Sequence, residues 1–210
     1  MSFDGALEQM RGPEWISALD ALCRQHITRD MTVVELGSFA GESTAVFAGH
    51  AARVIAIDPW AESYETQVLE GCSEGPVRDH VARVGLAPMS RVEMLFDRRI
   101  ASLTNVTKMK AFDHQVVEAF PDGSVDFIYL DSIHTFEYVS DSLSRWIHKL
   151  RPGGVFAGHD YSMDTWPGVV RAVDTCFGSP DSTYGDTSWV VTDEAKIDRL
   201  RRVARSSCVH

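Results

Sequence analysis

At 210 residues the chain is ample for one buried core and short for two, so a single domain is expected. Its formal net charge of −10, from 20 basic and 30 acidic residues, argues against a nucleic-acid backbone as substrate, because phosphate binding needs a positive surface that this chain supplies only locally. Cys23, Cys72, Cys176 and Cys208 are widely spaced without a Cys-x-x-Cys pair, which indicates neither a zinc knuckle nor a disulfide framework.

Met1 to Gly12 carries acidic residues and no apolar core of signal-peptide length. No later stretch approaches the roughly twenty apolar residues of a membrane span, so a cytoplasmic protein without a membrane partner is expected. Trp15, Leu19, Leu22 and Ile27 recur at helical spacing, as in a helix packed under a sheet. A strand at 32–36, apolar on both faces as buried parallel strands are, runs through Gly37 and Gly41 into a helix from Glu42 to His50. A second strand at 53–57 ends at Asp58. Residues 61–104 are too long for a simple crossover and read as an inserted, partly helical cap. Val77, Val81 and Val84 suggest one short helix in it, and Val92, Leu95, Phe96, Ile100 and Leu103 another.

A third strand falls at 105–111, with Asp113 just past its end and a short helix from His114 to Phe120. The alternative, a strand at Arg91 to Phe96, would move the acidic strand end to Asp97. The next strand, Val125 to Leu130, ends at Asp131. Phe136, Val139, Leu143, Ile147 and Leu150 form an amphipathic helix that Pro152-Gly153-Gly154 is expected to stop. Val155 to Gly158 is then a strand ending at His159-Asp160, Trp166-Pro167-Gly168 opens a helix through Phe177, and a strand near 187–191 and a charged helix from Asp193 finish the chain. Arg98-Arg99 and the arginines from Arg199 to Arg205 read as solvated helix faces. This alternation gives a single-domain, Rossmann-like α/β fold with a doubly wound, mostly parallel sheet.

Each strand delivers a carboxylate or glycine to its C-terminal end, the edge where open α/β sheets bind ligands. Gly37 can take backbone angles closed to other residues and lets a ligand approach the main chain, while the following helix offers unpaired N–H groups. Glu35, Gly37, Ser38, Gly41 and Ser43 are therefore cofactor candidates, with Glu35 suited to an ammonium. Asp58, about twenty residues on, suits a ribose diol. The spacing Glu-x-Gly-x-x-x-Gly departs from the Gly-x-Gly-x-x-Gly dinucleotide fingerprint, which disfavours a nicotinamide oxidoreductase.

The segments 34–41, Ile57-Asp58-Pro59-Trp60, 120–131 and 150–161 resemble class I S-adenosylmethionine-dependent methyltransferases. The spelling Asp131-Ser132-Ile133-His134-Thr135-Phe136-Glu137-Tyr138 with His159-Asp160-Tyr161 is similar to small-molecule O-methyltransferases, the macrolide sugar enzymes among them. The resemblance implies S-adenosyl-L-methionine across Gly37, Asp58, Trp60, Asp113 and Asp131, with Asp113 toward the adenine. It also implies a divalent cation, usually magnesium, on Asp131, His159 and Asp160. Two carboxylates that close repel unless one is protonated or a cation lies between them. An imidazole at His159 departs from the acidic pattern and also suits manganese, iron or zinc. His134 is implied as the general base, a role that imidazole's near-neutral titration supports.

The expected activity is metal-assisted O-methyl transfer to a small hydroxylated acceptor such as a sugar or natural product; a homo-oligomer is compatible with the sequence. The rivals are a metal-dependent oxygenase-related protein, with iron on Asp131, His134 and His159, and a non-catalytic binding subunit.

Overall fold

The computed structural model describes residues 10–61 and 88–207. In chain order these form α1 (Pro13–His26), β1 (Thr32–Leu36), α2 (Glu42–Ala48), β2 (Arg53–Asp58), α3 (Met89–Ile100), β3 (Val106–Lys110) and α4 (Asp113–Val116). There follow β4 (Val125–Leu130), α5 (Phe136–Trp146), β5 (Leu150–Gly158), α6 (Pro167–Phe177), β6 (Ser182–Thr183), β7 (Trp189–Val191) and α7 (Glu194–Ser207). The strands make one sheet in the order β3-β2-β1-β4-β5-β7-β6, parallel through β5, with β7 antiparallel to both β5 and β6.

Alternate side chains of the central strands feed two layers. Val34, Ile55, Ile128 and Phe156 pack against α5, α6 and α7, while Val33, Val54, Phe127 and Ala157 pack against α1 and α2. Burial on both faces explains why β1, β2 and β4 read as continuous apolar runs. At the sheet edge β3 has no residue fully buried, and its lysines Lys108 and Lys110 pair with Glu93 of α3.

Several boundaries differ from the sequence reading. Residues 91–96 belong to helix α3, so the third strand lies at 106–110 and Asp113 keeps its place. Helix α5 ends at Trp146, and Pro152-Gly153-Gly154 lies inside β5, because Leu150 already pairs with Val125 and the ladder shifts register before Phe127. Strand β6 had no signal in the sequence. Trp15 is not a core residue of α1: it is 39% exposed and turns its ring edge-on to His159. Arg99 donates to the Ala40 carbonyl and Arg201 to the Leu150 carbonyl, so these two arginines tie elements together rather than only facing solvent. The short helix expected at Val77 to Val84 lies outside the described residues. Among the described residues, no helix is long and apolar enough to cross a membrane.

Candidate active site

The turn after β1 is shaped by close approach. Gly37 sits at φ +91°, and a Cβ there would lie 2.0 Å from the Asp131 carbonyl, so only glycine lets β1 and β4 end side by side. The ladder runs one residue further on each side, with Gly37 N–H donating to Ile57 O and Asp131 N–H to Leu36 O, both at 2.8 Å. Gly41 caps α2 at φ +80°, where a Cβ would meet the Phe96 ring at 2.8 Å.

Asp58 holds this turn from the next strand. Its Oδ2 accepts from Ser38 and Phe39 N–H at 3.0 and 2.9 Å, and its Oδ1 from Trp60 N–H at 2.7 Å. Phe39 and Trp60 both have φ +43°, so the carboxylate fixes two left-handed residues at once. Burial raises the Asp58 carboxyl, against those three backbone bonds. Glu35 lies fully buried behind the turn, where it accepts from Ser43 Oγ at 2.5 Å and from Thr44 Oγ1. Burial pushes its carboxyl up to about 7.

Gly37, Asp58, Asp113 and Asp131 thus meet on one cleft at the C-terminal edge of the sheet, the edge where open α/β sheets bind ligands. Phe39, Met89, Phe112, Ile133 and Tyr138 add apolar walls. Sequence reasoning missed them because apolar residues in loops and at helix starts carry no motif. The side chain of Asp113 accepts from Tyr138 Oη and from Ser142 Oγ, which anchors the start of α4 to α5. Glu35, Ser38, Gly41, Ser43 and Trp60 do not line the cleft; they build the turn behind it. Trp60 packs on Phe96 at 4.8 Å between ring centroids, donates Nε1–H to Phe39 O, and lies under the Lys108 ammonium at 4.7 Å.

On the other side of the Asp131-Ser132-Ile133 wall, a second, smaller cavity is lined by His134 and His159. Asp131, at the end of β4, and Asp160, after β5, make four contacts to three partners, Arg11, His134 and His159. Asp131 Oδ2 pairs with Arg11 Nη2 at 2.6 Å, and Asp131 Oδ1 faces His159 Nδ1 at 3.8 Å. Asp160 Oδ1 lies 3.1 Å from His159 Nδ1, and Asp160 Oδ2 lies 2.7 Å from His134 Nε2. Both imidazoles and Arg11 are buried. The adjacent imidazoles draw the Asp160 carboxyl well below its usual range despite burial, and the two carboxylates raise His159 against its own burial.

His134 stacks on Trp166 at 4.0 Å, and Gly168 of α6 lies so close that a Cβ would come within 2.5 Å of the His134 carbonyl. Asp160 itself is left-handed, at φ +63°, a strained conformation of the kind that recurs at functional sites.

The donors fit a divalent cation. Ligands bonded at about 2.1 Å and at right angles stand about 3 Å apart, near the separations of His159 Nδ1 from Asp160 Oδ1 and Asp131 Oδ1. A grouping of Asp131, His134 and Asp160, with one ligand atom from each within 4.8 Å of the others, competes with the expected set that holds His159. His159 Nε2 and His134 Nδ1 are buried without a hydrogen bond. Arg11, which no motif marks, is the unforeseen member of the site.

A family model described as "Methyltransferase domain" matches residues 34–161, more than half of the chain. No curated protein matches the sequence. Among solved structures, an S-adenosylmethionine-dependent O-methyltransferase from Thermotoga maritima is 15% identical with a TM-score of 0.52, covering 83% of this chain and 55% of that one. A Streptococcus mutans protein described as a putative methyltransferase in complex with SAH is 12% identical with a TM-score of 0.52, covering 80% and 81%. A Bacillus subtilis protein is 17% identical with a TM-score of 0.46, covering 68% of this chain and 49% of that one, so the chain spans about half the length of the Thermotoga and Bacillus proteins. At these identities the likeness is one of fold.

Proposed function

This chain belongs to the methyltransferase-domain family, and we propose that it is an S-adenosylmethionine-dependent class I enzyme that methylates a hydroxyl of a small molecule with the help of a divalent cation. The observation that carries the reading is the shared wall Asp131-Ser132-Ile133. It lies between the cleft of Gly37, Asp58 and Asp113 and a cluster of two part-buried carboxylates and two buried imidazoles, a single strand end apart. S-Adenosylmethionine would lie along the cleft, its methionine part at Gly37, its ribose toward Asp58 and its adenine toward Asp113, and it supplies a methyl group that is already a good electrophile.

The protein's task is then to align an acceptor oxygen and take its proton. His134 does the second: Asp160 at 2.7 Å stabilises the imidazolium that forms, and the Trp166 stack fixes the ring. Asp131, Asp160 and His159 would hold the cation, magnesium or manganese before iron or zinc, which supplies Lewis-acid polarisation of the acceptor hydroxyl. Asp160 stands between the two imidazoles, so an iron site of Asp131, His134 and His159 without it is the poorer fit. Glu35, Ser43 and Gly41 act on the cofactor through the turn they shape. The test is transfer of label from S-adenosylmethionine to sugar, phenol and polyketide acceptors, with magnesium, with manganese, and with chelator. Cation-dependent label on oxygen is expected; label on nitrogen or carbon, or turnover unaffected by chelator, would overturn the corresponding part.

A further inference from the structure

Arg11 lies where a positive charge matters most. It is 9% exposed, its Nη2 donates to Asp131 Oδ2 at 2.6 Å, and its Nη1 lies 3.6 Å from Asp186 Oδ2 without a hydrogen bond. The segment is pinned from behind as well, since the backbone N–H groups of Met10 and Arg11 both donate to Glu42 Oε2 at 3.1 Å. Glu42 opens α2 directly after the Gly41 cap, so the strap runs from the cofactor turn to the acidic centre. Asp186 is fully buried and held by Ser188, whose Oγ also meets Tyr129 Oη at 2.7 Å, so the second anchor is rigid.

A guanidinium on Asp131 resolves the repulsion between Asp131 and Asp160 that would otherwise call for a metal ion. It uses one of the two oxygens a carboxylate can offer and brings a like charge to the doorstep of any divalent cation. We propose that Arg11 is a built-in counter-cation that competes with the divalent cation for Asp131, so that the metal binds fully only when the guanidinium withdraws. This inference rests on the metal-assisted reading of the same centre. The strap is held through the backbone N–H groups of Met10 and Arg11 on the Glu42 carboxylate, so it does not depend on where the guanidinium lies.

The test is Mn²⁺ titration of the full-length protein, following free Mn²⁺ by its electron paramagnetic resonance signal, in the wild type and in Arg11→Met, Arg11→Lys, Glu42→Gln and Asp131→Asn. Arg11→Met should bind Mn²⁺ about tenfold tighter or more, the scale of one lost charge-assisted bond. Arg11→Lys should fall between it and the wild type. Glu42→Gln loosens the strap without touching the acidic cluster, so it should tighten binding less, and it keeps the proposal testable if Arg11→Met does not fold. Wild-type binding that Asp131→Asn abolishes, but that Arg11→Met leaves equal or weaker, overturns the competition alone. Mn²⁺ bound by none of the proteins, with cofactor binding intact, overturns the metal reading and the competition with it.

Discussion

Glu35 shows how one buried carboxyl ties the cofactor turn to pH. Burial raises it to about 7, against the hydroxyls of Ser43 and Thr44 and helped by the nearby charge of Asp131. The native state therefore keeps a proton that the unfolded chain releases from about pH 4.5 upward. Stability falls as pH rises through about 7 and stays at the lower level above it, by a total on the order of 3 kcal/mol. Glu35→Gln is neutral throughout, and either hydroxyl can turn to accept from its amide. The mutant should thus lack this slope and overtake the wild type in urea melts at pH 8; parallel pH profiles for the two proteins would show that Glu35 is already ionised in the fold. His134 is tested by a different contrast. If it is the base, His134→Ala keeps cofactor and Mn²⁺ affinity and loses roughly 10²- to 10⁴-fold in turnover, whereas His159→Ala loses Mn²⁺ affinity. Loss of Mn²⁺ binding in His134→Ala would make His134 the nitrogen ligand instead, as the competing grouping with Asp131 and Asp160 allows.

Among the elements, α6 does most to place the candidate base, because Gly168 in its first turn rests on the His134 carbonyl and Trp166 just before it stacks on the ring. On helix propensity alone Gly168→Ala would stabilise by up to about 1 kcal/mol. A Cβ 2.5 Å from a backbone oxygen decides the sign the other way, with about 1–3 kcal/mol lost to overpacking. We expect a lower melting temperature and reduced turnover with unchanged cofactor affinity; a more stable, fully active mutant would show that α6 does not press on His134. This contact was invisible in the sequence, which placed α6 correctly from Pro167 but gave no sign of what its glycine touches. The buried strands were legible because both of their faces are apolar. The stop of α5 was misplaced because a Pro-Gly-Gly run ends helices and also distorts strands, and only the pairing of Leu150 with Val125 decides between the two.

At the scale of the molecule, the strand-end carboxylates Asp58, Asp131 and Asp160 could be read in advance, since each follows an apolar run, whereas Asp113 follows the lysine-bearing edge strand β3 and had a rival in Asp97. Their partners could not: Tyr138, Ser142 and Arg11 reach them from 25, 29 and 120 residues away. Met89 of α3 and Tyr138 of α5 share the same cleft with Gly37 and Asp58, so a ligand filling it bridges α3, α5 and the ends of β1 and β2. Cofactor binding should therefore raise the stability of the whole domain in a single transition. At a hundred times its dissociation constant, a ligand that binds only the folded state adds about 2.7 kcal/mol. For a domain of this length that corresponds to about 5–10 °C in melting temperature, at about 2–4 °C per kcal/mol. S-Adenosylmethionine and its demethylated product should both produce this shift, because the proposed pose puts the nucleoside and amino-acid parts that they share in the cleft, whereas a nicotinamide dinucleotide should produce none. Scanning calorimetry with each ligand is the measurement. A shift with the nicotinamide cofactor alone would reassign the cleft, and a second, unshifted transition would mean that the elements around it do not unfold as one body.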